Sequence, residues 1–367
     1  MRLAVREMQR RPLRFVVATV LITFLTILIL GLGGLLDGLF LGSTGAIRAQ
    51  QADVFVYSEN SRESFLRSRI TPEIRSRVEA TPGVEDTGGL GLALVGAQVP
   101  GEDELADAAV IGYELAPSGV PDEQPPPNHA WADERLKASG VEVGDTLRVG
   151  PAEVPITVDG FVQDTNYLLQ GALWVEPDTW RQVQNLSRPD ARVGDGVFQV
   201  LLVNGGGAPQ DLADAIDAAT SGATSSLTRD QAVQSLPGTR EQQATFTFII
   251  VATFLVALLV VALFFALLVR ERTGLYGVLK AIGASTRQLF TGLVVQAVLV
   301  STTAFAIGAV LVFLLSRVIP ANVPFQFQPN RLVWTLVVLV VVSILGGALS
   351  LRRVATIDPA SAIGSAS

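Results

Sequence analysis

Four uncharged apolar runs, each long enough to cross the hydrocarbon core of a bilayer, limit what this 367-residue chain can fold into. A spanning helix needs about 20 mostly apolar residues. Phe15 to Leu36, Phe246 to Val269, Leu289 to Leu315 and Leu332 to Leu349 contain no Asp, Glu, Lys or Arg. A core helix of a water-soluble protein keeps a polar face, and these runs keep none. The pattern predicts a membrane protein with four transmembrane α-helices in a 1+3 arrangement, over 15–40, 246–269, 289–315 and 332–350. The first run exceeds the roughly 7–15-residue apolar core of a cleaved signal and reads as an uncleaved anchor. Residues 1–14, basic with Leu3, Val5 and Met8 interspersed, read either as an amphipathic helix on the inner leaflet or as a disordered leader.

The charges orient the spans. Segments 1–14, 270–288 and 351–367 together hold 11 basic and 3 acidic residues, whereas 41–245 holds 14 basic and 30 acidic ones. Basic residues near span ends mark the cytoplasmic side. Four crossings put the three basic segments on one side, so both termini are expected in the cytoplasm of a cell-membrane protein, with 41–245 outside. Arg317 and Arg331, in the short outer loop 316–331, go against this rule. Both flank a span and can snorkel, with Trp334 as an interfacial anchor.

The missing residue types exclude much chemistry. There is no cysteine and only one histidine, His129, so thiolate sites, histidine-rich zinc sites and disulfides drop out. The only lysines, Lys137 and Lys280, each follow leucine, so no Gly-Lys-Ser/Thr phosphate loop exists. The chain is expected not to be an enzyme and to bind no cofactor or metal itself. His129, in Pro-Pro-Pro-Asn-His, reads as a loop residue, and Glu102-Asp103-Glu104 as a solvated acidic turn. Nothing points to nucleic acid.

Segment 41–245 is long enough for a domain with its own core. Strands are expected at Asp53–Tyr57, Leu90–Val99, Ala108–Tyr113, Val143–Val149, Val154–Val162, Gly171–Val175 and Phe198–Val203. Helices are expected at Pro72–Val78, Ala130–Ser139, Gln210–Ala219 and Asp178–Leu186, the last capped by Asp178. The proline-rich stretch Pro117–Pro127 reads as a boundary or exposed connection, giving a large α+β extracytoplasmic domain of two subdomains. Leu41–Gln50 and Thr228–Thr245 read as a helical stalk, weakened in the second case by Pro237-Gly238.

Two motifs carry a family resemblance. Residues 272–285, RTGLYGVLKAIGAS, resemble the inner loop of MacB/FtsX-type ABC permeases, the mechanotransmission or type VII class, where glycine precedes a K-A-I-G-A core. Residues 352–360, RRVATIDPA, resemble that family's closing D-P-A segment. The order of one span, a large outer domain and three spans also matches. One departure is Leu275, where the family usually has an acid. The resemblance implies a homodimer whose inner loop docks on two copies of a separate ATP-binding subunit, which holds the ATP and Mg. Leu275, Gly277, Val278, Leu279, Lys280, Ala281, Ile282 and Gly283 would then form the ATPase-coupling helix. Independently, Leu275, Val278, Leu279 and Ile282 recur at helical spacing, a face that needs a protein partner or the bilayer surface. Members of the family export or extract amphiphilic or hydrophobic substrates. The alternative is the FtsX-like role, a mechanotransmitter that moves nothing and regulates an extracytoplasmic adaptor or cell-wall hydrolase.

Three further features stand out. Gly34, Gly38 and Gly42 lay a small-residue stripe on the first span, read either as a helix-packing or dimer surface or as a hinge. Asp37 lies near the outer boundary, either facing a substrate or gating element or simply hydrated. Gln296, inside the third span, reads as an interhelical hydrogen-bonding residue or, less simply, a substrate contact.

Overall fold

The computed structural model describes residues 12–271, 282–283, 285–320 and 323–355. In chain order its first elements are α1 (Pro12–Arg48), β1 (Val54–Ser58), α2 (Pro72–Glu79), β2 (Val84–Gln98), β3 (Leu105–Tyr113), β4 (His129–Asp133), β5 (Thr146–Val149), β6 (Val154–Val162) and β7 (Gly171–Val175). There follow α3 (Pro177–Ser187), β8 (Val200–Gly205), α4 (Pro209–Ala219), β9 (Thr224–Thr228), α5 (Arg229–Gln234), α6 (Thr239–Glu271), α7 (Thr286–Ser316) and α8 (Pro329–Ala355). They form two compact units, one containing the apolar helices and the other comprising Leu39–Gln242.

Helices α1, α6, α7 and α8 are long and apolar enough to cross a membrane. Their shared core contains Phe15, Ala18 and Ile22 of α1, Val261 and Val269 of α6, Leu293, Ala297, Val300 and Ala304 of α7, and Leu339 of α8. Small residues let the backbones approach. A Cβ on Gly308 of α7 would lie 2.8 Å from Thr26 Cγ2 of α1, and one on Gly346 of α8 would lie 3.0 Å from the amide nitrogen of Ala262 of α6. The Thr23 hydroxyl donates to the Ala304 carbonyl (3.3 Å), satisfying a polar group within the bundle. Phe248, Leu255, Leu259, Leu263 and Leu267 of α6 point outward.

The second unit is built on a nine-stranded sheet, ordered β3-β7-β4-β6-β5-β2-β8-β1-β9. Strands β2 and β3 also pair with each other, so β2, β3, β7, β4, β6 and β5 close into a six-stranded ring. Alternation sends one face of each strand inward. Inside the ring lie Ala93, Ala97, Ala106, Ala108, Ala130 and Ala132, together with Val110, Leu147, Val149, Ile156, Val158, Leu173 and Val175. Alanines suit so narrow a barrel, because larger side chains facing one another would overfill it. Trp180 of α3 packs on the paired glycines Gly91 and Gly112, where a Cβ would lie 2.2 Å from the indole and 2.6 Å from the Trp180 Cβ respectively.

Beyond the ring, β8, β1 and β9 extend the sheet. Val54, Val56, Leu201 and Val203 pack against Val78 of α2 and Leu212, Ala213 and Ile216 of α4. The opposite face joins Phe55, Tyr57 and Leu202 to Tyr113, Trp174 and Tyr167, and to Ala46 and Ile47 of α1.

Several sequence expectations need correction. Ala130–Ser139 is not a helix: β4 runs to Asp133 and one 3-10 segment, Glu134–Ser139, follows. Pairing of β4 with β6 and β7 overrides the helix propensity of its alanines. Helix α3 begins at Pro177, so Asp178 sits in its first turn and takes Arg181 rather than capping the helix. Strand β9 was not expected, because its Thr-Ser-Ser-Leu-Thr sequence has no apolar alternation. Asp217 of α4 pins it, accepting from the Ser226 amide (3.0 Å) and from the hydroxyls of Thr224 and Ser226 (2.8 and 2.6 Å). The first stalk segment is helical, as α1 continues to Arg48. The second breaks at Pro237-Gly238, where Gly238 has φ +79°.

Candidate functional site

Between α7 and α8 the chain must turn back, and where it does so it lies on α1. Gly33, Gly34 and Gly38 leave that helix surface bare. A Cβ on Gly38 would lie 2.2 Å from the Pro324 carbonyl oxygen, and one on Gly34 would lie 2.5 Å from the Phe325 ring. The Gln326 amide donates to the Gly34 carbonyl (3.0 Å), a contact that only close backbone approach allows. The stripe is thus covered by an extended segment of the same chain rather than by a helix.

One turn further along α8, Arg331 reaches back to α1, its side chain lying over Gly33. Its Nε and Nη2 donate to Asp37 Oδ2 and Oδ1, both at 2.5 Å. The side chains retain 27 % and 17 % exposure, so the pair is largely withdrawn from solvent. A planar guanidinium meeting a carboxylate in two parallel bonds resists rotation as well as separation. Glycine seat, backbone hydrogen bond and bidentate ion pair together make a clasp between the outer part of α1 and the start of α8. Asp37 is therefore committed to a partner within the chain, and Arg331 is committed to Asp37 rather than snorkelling. The available signal for this pairing was Arg331 itself, a cation in a loop where the charge rule disfavours one. Arg317, the other exception, stacks over the Phe313 ring (4.9 Å).

Gly42 belongs to a second seat, within the sheet domain. There the amides of Leu169 and Leu168 donate to the carbonyls of Gly42 (2.9 Å) and Ser43 (3.0 Å), and the Ala46 amide donates to the Asn166 carbonyl (2.8 Å). Leu168 and Leu169 both adopt positive φ, the conformation that turns their amides toward α1. The sequence stripe thus serves two separate loops.

Gln296 is buried on the core face of α7 beside Leu293, Ala297 and Val300. Of the expected coupling helix, Leu275, Gly277, Val278, Leu279, Lys280 and Ala281 lie outside the described residues. Ile282 and Gly283 form an exposed turn, Gly283 at φ +97°. Ser285 and Gln288 then close a capping box on α7. Among the described residues no group of three or more His, Cys, Asp or Glu side chains could hold a metal. His129 starts β4 rather than sitting in a loop, its Nδ1 2.7 Å from Asp159 Oδ1.

Comparison with known proteins bears on these features. Residues 247–359 match the model of the FtsX-like permease C-terminal family. Over its whole length the chain is similar to a hemin transport system permease protein, HrtB, of Staphylococcus epidermidis, with 23 % identity covering 99 % of each chain. It is also similar to an uncharacterized ABC transporter permease of Mycobacterium tuberculosis, with 26 % identity covering 98 % of each. Among solved structures, the periplasmic region of MacB from Actinobacillus actinomycetemcomitans aligns with 52 % of this chain and 96 % of its own, with 13 % identity and a TM-score of 0.34. The extracellular domain of the transporter YknZ from Gram-positive bacteria aligns with 48 % of this chain and 100 % of its own, with 11 % identity and a TM-score of 0.33.

Proposed function

We propose that this chain, whose residues 247–359 match the FtsX-like permease C-terminal family, is an ABC permease that couples ATP hydrolysis on a separate ATP-binding subunit to export or extraction of an amphiphilic or hydrophobic molecule. Two copies of the chain and two ATP-binding subunits form the working unit, with both termini and the 270–288 loop in the cytoplasm and the sheet domain outside. ATP and Mg reside in the partner, consistent with a sequence that has no phosphate loop. The segment 275–283 carries motion from that partner into the spans.

The observation that carries the mechanical part is the clasp on α1. A linkage transmits force only if its members do not slip past one another. Two charge-assisted hydrogen bonds, one backbone hydrogen bond and a bare glycine seat give α1 and the start of α8 little freedom to do so. Helix α1 itself runs unbroken from Pro12 to Arg48. The similarity to proteins described as hemin transport permeases favours transport over pure force transmission and supports a flat, apolar, charged-edge substrate class.

The test is co-purification with a candidate ATP-binding subunit, then ATPase measurement in nanodiscs with and without candidate amphiphiles. Stimulation by an amphiphile, abolished by Leu279→Asp, is the expected result. ATPase indifferent to every amphiphile but responsive to an extracytoplasmic hydrolase would replace transport with the regulatory role. Retention of assembly and coupling in Leu279→Asp would refute the coupling helix.

A further inference from the structure

Where α1 gives way to β1, the sheet domain contains a cavity of about 170 Å³ that the permease reading does not use. Its apolar wall is formed chiefly by Leu115 and Leu202, and its polar wall by the amides of Gln50, Gln51 and Asn204 and the carboxylate of Asp122. Gln50 is 1 % exposed. Its Nε2 donates to the Ala46 carbonyl (3.0 Å), while its Oε1 accepts no hydrogen bond among the described residues. An amide oxygen at the cavity wall in that state can accept from a ligand that brings a donor.

Asp122 is the charged residue among those that line the cavity. Asp122 makes no ion pair among the described residues. Burial, aided by this carboxylate, pushes the neighbouring Tyr113 phenol up to about 12. The Arg229 guanidinium is held on the Gln50 carbonyl (3.1 Å) and does not line the cavity.

Asp122 arrives on the proline-rich segment 117–127, which is fastened over the cavity at two points. The Ser118 amide donates to the Ala49 carbonyl (2.7 Å), and Gln124 Nε2 donates to the Tyr113 carbonyl (2.7 Å). This segment, by sequence a boundary or an exposed connection, contributes Asp122 to the cavity's wall.

We propose that this cavity binds a small molecule carrying an ammonium group on a short apolar body with an amide. The ammonium pairs with Asp122, the amide exchanges hydrogen bonds with Gln50 and Asn204, and the apolar part lies on Leu115 and Leu202. The proposal is independent of the permease reading, since the cavity lies wholly within Leu39–Gln242.

Leucinamide is a suitable probe, and N-acetyl-leucinamide its uncharged control. Binding to the full chain in nanodiscs is followed by ligand-observed NMR. Leucinamide is expected to bind saturably, and about tenfold more tightly than the acetylated control, the range for one charge-assisted contact. Asp122→Asn, on an exposed segment, should remove that difference, and Ala116→Trp, which fills the cavity, should abolish binding of both. No saturable binding of leucinamide up to about 10 mM, a free energy near 3 kcal/mol, would overturn the proposal. Equal affinity for the two probes, or an undiminished preference in Asp122→Asn, would overturn it as well.

Discussion

Removing either member of the Asp37–Arg331 pair tests whether the clasp holds the spans together. An exposed ion pair contributes about 0–1 kcal/mol, whereas truncating one partner of a fully buried pair costs about 3–5 kcal/mol. With side-chain exposures of 17 % and 27 %, Asp37 and Arg331 lie between these limits but nearer the buried one. Either alanine substitution should therefore cost about 2–3 kcal/mol, because each leaves the surviving charge without its two hydrogen bonds. For a cooperative unit of roughly 150–250 residues this lowers the thermal midpoint by roughly 5–10 °C. The double variant should cost less than the sum of the single ones by about 1–2 kcal/mol, since the second substitution removes a charge already orphaned. Intrinsic tryptophan fluorescence during thermal unfolding in nanodiscs supplies the midpoints, and the charge-swapped variant Asp37→Arg with Arg331→Asp should recover part of the loss. Strict additivity of the two single effects would refute the pairing as a source of stability. Single effects below about 0.5 kcal/mol would place it among surface pairs of no consequence.

Other outcomes follow from contacts elsewhere. Gly38→Leu should abolish a stable bundle, because its Cβ meets the Pro324 carbonyl oxygen at 2.2 Å and backbone cannot step aside; Gly31→Leu, with nothing within 4 Å, should be tolerated, and size-exclusion profiles in detergent report both. Gly91→Ala should destabilise the sheet domain by at least about 2 kcal/mol, read as a lost near-ultraviolet signal, since the added methyl strikes the Trp180 indole. Burial raises the phenols of Tyr57, Tyr113 and Tyr167, the Tyr113 one to about 12. The folded domain then holds protons that the unfolded chain releases from about pH 10. Stability is thus fully present below pH 10 and lost as pH rises toward 12, so absorbance at 295 nm should rise late and together with unfolding, with a smaller step in Tyr113→Phe.

The spans were legible because lipid imposes a rule that each residue obeys by itself, and four uncharged runs satisfy it without reference to one another. The strands with alternating apolar residues, such as Val154–Val162, were legible for a similar reason. Legibility failed where a neighbour decided the outcome. Ala130–Ser139 is strand up to Asp133 because β6 and β7 flank it, and Thr224–Thr228 is a strand because Asp217 secures it. The clasp failed to show for the same reason: Asp37 and Arg331 are 294 positions apart, and nothing local to either predicts the other. Its glycines were visible as a stripe, but the stripe alone does not tell whether a helix, a loop or a second copy will cover it.

The ring of six strands has one more consequence. Because β3 also pairs with β2, the sheet has one free edge fewer, and the outer side of the five-residue β9 is an open border that remains. Thr, Ser and Thr residues border that gap, with little oily surface to reward an intruder. A domain crowded among its neighbours could then be pulled and released many times without being stitched to them.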